Sequence, residues 1–141
     1  MVDSRLLIRT GEIPLDGLEI HETFDPSLLD LGTESIQYTA PLQIDCTVRK
    51  ELGVVTVEAA IGTAVEMMCH LCLRVLGEDM ARRFQWYYKV QDHPQIDVLE
   101  EVRQEIMLGY PMVWLCREDC RGLCPQCGVN WNEETCVHGP T

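Results

Sequence analysis

The sequence predicts an α+β fold, made of an antiparallel β-sheet, one amphipathic helix and a cysteine-rich C-terminal segment. Three observations support this fold class. Apolar and polar residues alternate over long stretches from Ile36 onwards, which is typical of half-buried strands. Residues 98–108 instead have helical periodicity. Seven of the eight cysteines are closely spaced, five of them within residues 116–136.

The length of 141 residues favours one domain, 1–141, with a modest core. Residues 1–34 contain short apolar pieces broken by glycine and proline, so we expect one or two short strands and loops there. Residues 35–109 are expected to form the sheet and the helix. Residues 110–141 form the cysteine-rich tail, which we expect to pack on residues 69–72.

The strand pattern is clearest at Leu42, Ile44, Cys46 and Val48, which alternate with polar residues. These four side chains are expected to face the core, so Cys46 is interpreted as a buried apolar group rather than a ligand. A turn at Lys50-Glu51-Leu52-Gly53 then leads to a partner strand that runs to Met68.

A third strand is predicted over Met80–Val90, where aromatic residues alternate with bases. This pattern favours a half-buried β surface, and a nucleic-acid platform is the alternative. The helix is expected to begin after Asp97, a good N-cap that forms a capping-box-like pair with Glu100. Gly109 and Pro111 are expected to end it.

The cysteines have the spacing of metal ligands. Cys69-His70-Leu71-Cys72 is one C-x-x-C motif, and the tail contains Cys116, Cys120, Cys124, Cys127 and finally Cys136-Val137-His138. Zn²⁺ takes four nitrogen or sulfur ligands, so two such pairs make a site. A disulfide framework would need an oxidising compartment. The N-terminus has no secretory signal and no run is long enough to span a membrane, so we expect a cytoplasmic protein with reduced thiols. A redox C-x-x-C motif is less favoured, because the residues around Cys69 have a strand pattern.

Two ligand pairings remain open. In the two-site scheme, one Zn²⁺ binds Cys69, Cys72, Cys116 and Cys120, and a second binds Cys124, Cys127, Cys136 and His138. In the one-site scheme, Cys69 and Cys72 join Cys124 and Cys127 in a single zinc ribbon. The two-site scheme is preferred, because a single ribbon leaves up to four thiols without a metal.

The net charge of −12 makes this an acidic protein, which repels nucleic acid at long range and attracts basic partners. Several arginines nevertheless lie close to the cysteines in sequence. They either balance thiolate charge or form a basic face for RNA or a partner; these arginines are Arg74, Arg82, Arg83, Arg117 and Arg121. No catalytic motif is found, and sites with four protein ligands leave no position for a reacting water, so no enzyme is expected.

The tail from Cys116 to Asn130, with the upstream C-x-x-C motif after a β-hairpin and the helix between them, resembles the bacterial and plastid YceD family of large ribosomal RNA subunit accumulation proteins. The resemblance extends over about residues 40–138. It departs from the family pattern at Leu71, where arginine is usual, and at His138, which replaces a cysteine. The weakest expected ligand is His138, close to the chain end.

The resemblance implies a part in the accumulation and processing of 23S ribosomal RNA and in large-subunit biogenesis. The implied partner is a large-subunit precursor or a basic ribosomal protein. Whether the direct contact is RNA, a ribosomal protein or a nuclease stays open at this point.

Overall fold

The computed structural model describes residues 4–139 of the chain. An antiparallel β-structure and one α-helix are present, which confirms the predicted α+β class. Within these residues the strands are β1 (Leu7–Arg9), β2 (Leu18–Phe24), β3 (Ile36–Tyr38), β4 (Leu42–Glu51), β5 (Val54–Met68), β6 (Val75–Lys89) and β7 (Gln95–Asp97), and the helix is α1 (Val98–Leu108). Short 3₁₀ turns occupy Ser4–Leu6, Thr10–Glu12 and Pro26–Leu29.

The main sheet is built around the long strand β5. Strand β4 pairs with β5 from Val54 to Gly62, and β3 pairs with the same edge further along, from Val65 to Met67. Strand β6 pairs with the opposite edge over the full length of β5, while β2 pairs with the outer edge of β4. The β5–β6 hairpin is therefore the longest feature of the fold, and residues 69–74 form its tip.

The β4–β5 hairpin has a two-residue turn. Both turn residues have positive φ, 51° at Leu52 and 77° at Gly53, as type I′ turns require. The turn sets a register in which Val48 lies opposite Val57 and Cys46 opposite Ala59. Cys46 is 1% exposed, and burial raises the pKa of its thiol to about 11, so the predicted inward orientation of this strand is confirmed.

Helix α1 has the predicted bounds. The Asp97 carboxylate accepts a hydrogen bond from the Glu100 backbone N–H at 3.2 Å, which caps the first turn. The Glu100 side chain accepts hydrogen bonds from Arg103 and Gln104 rather than completing a capping box. The apolar stripe of the helix is buried in the core, through Val98, Leu99, Val102 and Ile106.

The side chain of Arg82 contacts the C-terminal end of α1. Gly109 has φ of −84°, which any residue can adopt, so backbone freedom does not explain the glycine. A Cβ at this position would collide with the Arg82 guanidinium. Arg82 thus lies against the C-terminal end of the helix, where a positive charge is favourable.

Strand β6 begins at Val75, five positions before the expected start at Met80, and ends at Lys89. The ring side chains of Phe84, Trp86 and Tyr88 are half-buried against the core, and Phe84 stacks on Trp86 at 5.8 Å. The predicted half-buried β surface is therefore present. Tyr87, on the opposite face of β6, is the exposed aromatic residue of this strand, whereas a nucleic-acid platform stacks bases on several exposed rings.

Strands β1 and β7 form a separate two-stranded ladder that was not predicted. It joins the N-terminal part of the chain to the residues that precede α1. In the described part of the chain, no helix is long and apolar enough to cross a membrane.

Candidate metal centres

The first candidate site begins at the tip of the β5–β6 hairpin. The Cys69 N–H donates to the Arg74 carbonyl at 2.8 Å, and the Leu73 N–H donates to the Cys69 carbonyl at 3.0 Å. Leu73 has φ of 64°, so the chain reverses within this short loop. The loop is a tight knuckle that brings the thiols of Cys69 and Cys72 together.

The tail returns to this knuckle through a pair of hydrogen bonds between His70 and Trp114. The His70 backbone N–H donates to the Trp114 carbonyl at 2.9 Å, and the Trp114 N–H donates to His70 Nδ1 at 3.0 Å. Further back, the Tyr110 hydroxyl donates to the Leu31 carbonyl and also contacts the Tyr38 hydroxyl. These contacts lead the chain from the end of α1 to Cys116.

Four sulfur atoms consequently meet at the knuckle. The Sγ atoms of Cys69 and Cys120 are 3.6 Å apart, as are those of Cys72 and Cys116. All four lie within 4.8 Å of one another. Tetrahedral Zn²⁺ with Zn–S bonds of about 2.3 Å would hold its sulfurs about 3.8 Å apart. A disulfide needs about 2.05 Å, so the spacing fits a metal and not a covalent bridge.

The second candidate site is built on a small hairpin in the tail. The Cys124 N–H donates to the Val129 carbonyl at 2.8 Å, and the Gly128 N–H donates to the Cys124 carbonyl at 2.9 Å. Gly128 has φ of 80°, which explains the glycine after Cys127. One ligand atom from each member of the second set lies within 4.8 Å of the others, and the set is Cys124, Cys127, Cys136 and His138.

The two knuckles touch but do not share a site. The Leu123 N–H donates to the Leu71 carbonyl at 3.2 Å, and a Cβ at Gly122 would lie only 3.3 Å from the same oxygen. The thiols of the two C-x-x-C motifs nevertheless fall in different groups. This grouping is the one that the two-site scheme expects, and it separates the thiols that a single ribbon would join.

The thiol pKa values differ within each cluster, so some of its thiols ionise more easily than others. Desolvation opposes ionisation of Cys69, but backbone N–H donors of Cys72 and Cys116 outweigh it and lower the pKa to about 6. Desolvation and the neighbouring thiols raise the pKa of Cys116 to about 12. Without a cation, the cluster therefore favours one thiolate and disfavours a second. A divalent cation removes this conflict, and thiolates are the form that binds it.

The second cluster behaves in the same way. The Trp131 indole N–H is the main cause that lowers the pKa of Cys136, to about 6. The Val129 backbone N–H acts to lower the pKa of Cys127, but Cys124, desolvation and Cys136 together outweigh it and raise the pKa. The residues present thus fit Zn²⁺, with four thiolates at the first site and three thiolates and an imidazole at the second.

Sequence reasoning missed the side chains that support the ligands. The Asn132 Nδ2 atom donates to Cys120 Sγ at 3.3 Å, and the Trp131 Nε1 atom donates to Cys136 Sγ at 3.4 Å. The sequence does contain a signal for them: Asn130, Trp131 and Asn132, whose side chains carry N–H donors, lie between the ligands Cys127 and Cys136. Donor side chains of this kind commonly fix metal ligands from outside the coordination sphere.

The five arginines considered as partner contacts do not lie on one surface. Arg82 and Arg83 are neighbours on β6, so Arg82 lies half-buried beside Gly109 while Arg83 is exposed on the opposite face of the sheet. Arg117 donates to Asn132 Oδ1 at 2.8 Å and pairs with Asp119 at 3.3 Å. Arg74 and Arg121 are exposed, and neither makes an ion pair within residues 4–139.

Comparison with known families found a match for the C-terminal part of this chain. Residues 86–141 match the family described as Large ribosomal RNA subunit accumulation protein YceD. The match confirms the resemblance to the YceD family. The YceD match includes the last residues of β6, all of α1 and the tail ligands from Cys116 onwards, whereas Cys69 and Cys72 lie outside it. No curated protein and no solved structure matched the chain.

Proposed function

We propose that this chain is a non-enzymatic cytoplasmic factor for the accumulation or processing of 23S ribosomal RNA, and hence for large-subunit biogenesis. The YceD family match carries this proposal, because it covers the tail that contains most of the candidate ligands. We further propose that residues 1–141 act as one domain. The contacts of the tail with the knuckle at His70 and Leu71 support that view.

The proposed cofactor is Zn²⁺, bound at two structural sites by the ligand sets Cys69, Cys72, Cys116 and Cys120, and Cys124, Cys127, Cys136 and His138. Each set supplies four protein donors, which is the composition of structural rather than catalytic zinc. The first site would join segments more than forty residues apart in the chain. Metal binding at such a site contributes directly to folding, because the unfolded chain does not hold the ligands together.

The proposed direct partner is a basic ribosomal protein or a protein-bound precursor rather than free RNA. The net charge of −12 opposes approach of a polyphosphate. Two of the candidate arginines already have intramolecular roles, since Arg82 lies against α1 and Arg117 binds Asn132 and Asp119. The other three candidate arginines, Arg74, Arg83 and Arg121, are exposed and lie on different segments of the chain: the β5–β6 loop, β6 and the tail.

The deciding experiment compares the affinity of the zinc-loaded protein for deproteinised 23S precursor RNA with its affinity for isolated basic large-subunit proteins at physiological salt. We expect selective binding to a basic protein, weakening as salt rises. The variant Arg83→Gln combined with Arg121→Gln should leave this binding intact. Arg49→Gln combined with Lys89→Gln removes the same number of charges from other exposed positions and is the matched control.

Tight, sequence-selective binding to bare RNA that the Arg83/Arg121 variant loses and the Arg49/Lys89 variant keeps would contradict the proposed partner. It would favour a zinc-ribbon-like RNA-binding protein instead. Binding to neither RNA nor large-subunit proteins, in a protein loaded with metal, would contradict the role in subunit biogenesis and leave a general zinc-stabilised interaction module.

A further inference from the structure

The turn Asn130–Asn132 lies between the two candidate metal sites. It follows the tail hairpin, in which Leu123 pairs with Asn130 and the Trp131 N–H donates to the Gly122 carbonyl at 3.0 Å. Its chain position is within the second ligand set, between Cys127 and Cys136. One of its side chains nevertheless reaches a thiol of the first set, so the turn contacts both clusters.

The side chain of Asn132 uses its full hydrogen-bonding capacity. Its Oδ1 atom accepts from the Arg121 backbone N–H and from the Arg117 guanidinium, each at 2.8 Å. Its Nδ2 atom donates to Cys120 Sγ at 3.3 Å and to Asn130 Oδ1 at 2.8 Å. Two donors face the oxygen, so the amide orientation is fixed and the NH₂ group must point to the sulfur. An aspartate could not donate there and would place a negative charge against a thiolate.

The neighbouring Trp131 makes the corresponding contact at the other cluster. Its indole N–H donates to Cys136 Sγ at 3.4 Å. An indole has one donor and no acceptor, so this ring acts on the sulfur only by hydrogen-bond donation. Adjacent residues therefore hold a thiol of the first set and a thiol of the second set.

We propose that Asn132 and Trp131 are positioning residues that couple the two metal sites, so that metal at the Cys69/Cys72/Cys116/Cys120 site strengthens binding at the Cys124/Cys127/Cys136/His138 site. This inference rests on the proposed zinc sites. Metal at the first site fixes Cys120 and the loop that contains Arg117 and Arg121. That loop fixes Asn132, and through the turn it fixes the indole that holds Cys136.

We expect the two sites to bind metal in a fixed order, and the coupling between them must be equal in both directions. The first site is the better shielded, since Cys69 and Cys72 are 0% and 5% exposed, whereas Cys127 and His138 are exposed. We therefore expect the first site to load at lower metal concentration. Because coupling between two sites is reciprocal, metal at the second site should raise affinity at the first by the same factor.

The test is a titration of the reduced, metal-free full-length chain with Zn²⁺ against a competing chelator. Co²⁺ is titrated in parallel, because its absorption distinguishes a four-sulfur site from one with three sulfurs and a nitrogen. Asn132→Ala should weaken both sites, with the second weakened about 10-fold, the lower end of the loss usual for supporting residues. Trp131→Phe keeps the ring and removes the N–H, so it should weaken the second site and leave the first unchanged as long as the second is empty. Glu133→Gln, an exposed neighbour, is the matched control and should bind as the wild type does.

Coupling itself is measured with Cys72→Ser, which removes a ligand of the first site. The second site should then bind about as weakly as it does in Asn132→Ala, and the double variant should show little further loss. Because Cys72→Ser also destabilises the domain, the deciding variant is Asn132→Ala, which keeps all eight ligands. Wild-type second-site affinity in Asn132→Ala would overturn the coupling while leaving two zinc sites in place. Failure of the wild type to bind either metal would instead contradict the proposed zinc sites.

Discussion

The Sγ atoms of Cys69 and Cys120 lie 3.6 Å apart although the two residues are 51 positions apart in the chain. One sulfur lies at the tip of a β-hairpin and the other in a tail without regular secondary structure. Their separation is close to that of two ligands of one zinc ion. The contact therefore joins the sheet to the tail. We expect that breaking it destabilises both parts of the structure.

We expect the protein purified without chelator to contain two Zn²⁺ ions per chain. The reason is the presence of two sets of four ligand atoms, each within 4.8 Å. Native mass spectrometry before and after chelation measures the stoichiometry. Cys46→Ala is the control, because Cys46 is 1% exposed within the apolar core and should leave the count unchanged. A content of one ion per chain or fewer would contradict the two-site proposal.

Loss of a ligand should have different consequences at the two sites. Cys72→Ser should destabilise the whole domain, because it opens the junction between the β5–β6 hairpin and the returning tail. Cys136→Ser should loosen mainly the tail, since its site closes a short terminal loop. Hydrogen exchange resolved by residue measures the difference. Equal loss of protection in β4 and β5 for both variants would show that the assignment of roles is wrong.

The His70 side chain should matter for folding without being a ligand. His70→Ala removes the acceptor of the Trp114 N–H, and loss of such a bond typically costs about 1 kcal/mol. We expect faster hydrogen exchange of the amides in residues 110–116 and a correspondingly lower free energy of unfolding in chemical denaturation. Mass spectrometry should show an unchanged metal count. His93→Ala is the control for the exchange of the tail amides, because the His93 ring contacts Tyr88 and Lys89 at the other end of β6. If His70→Ala lost a metal ion, His70 would have to be counted among the ligands.

The His21–Asp45 pair predicts a small pH effect. The side-chain hydrogen bond from His21 Nδ1 to Asp45 at 2.7 Å raises the pKa of His21 above its usual 6.5. The folded state thus binds the proton more tightly, so the stabilisation is fully present below the unfolded pKa and is lost as pH rises through the higher folded value. Both side chains are exposed, so the effect on stability should be slight.

NMR titration of the His21 ring measures this shift directly. Asp45→Asn should lower the pKa towards the usual value, whereas Glu12→Gln, which alters a carboxylate outside this strand pair, should not. An unchanged His21 pKa in Asp45→Asn would show that the pair does not form in solution.

The sequence by itself determined the features that depend on near neighbours in the chain. Alternation placed Leu42, Ile44, Cys46 and Val48 on the core face, because successive strand residues point to opposite sides. The bounds of α1 followed from Asp97 and Gly109, since caps act within one turn. The short spacings within Cys69–Cys72 and Cys124–Cys127 likewise indicated two knuckles.

Only the tertiary structure decided which distant thiols meet and what supports them. The group that contains Cys69 and Cys120 depends on where α1 ends and on how His70 receives Trp114, and neither follows from local periodicity. The donors Trp131 and Asn132 were not evident for the same reason, because their sulfur partners are set by the path of the whole tail. Hydrogen bonds and metal geometry act over a few ångströms in space, whereas sequence patterns report only neighbours along the chain.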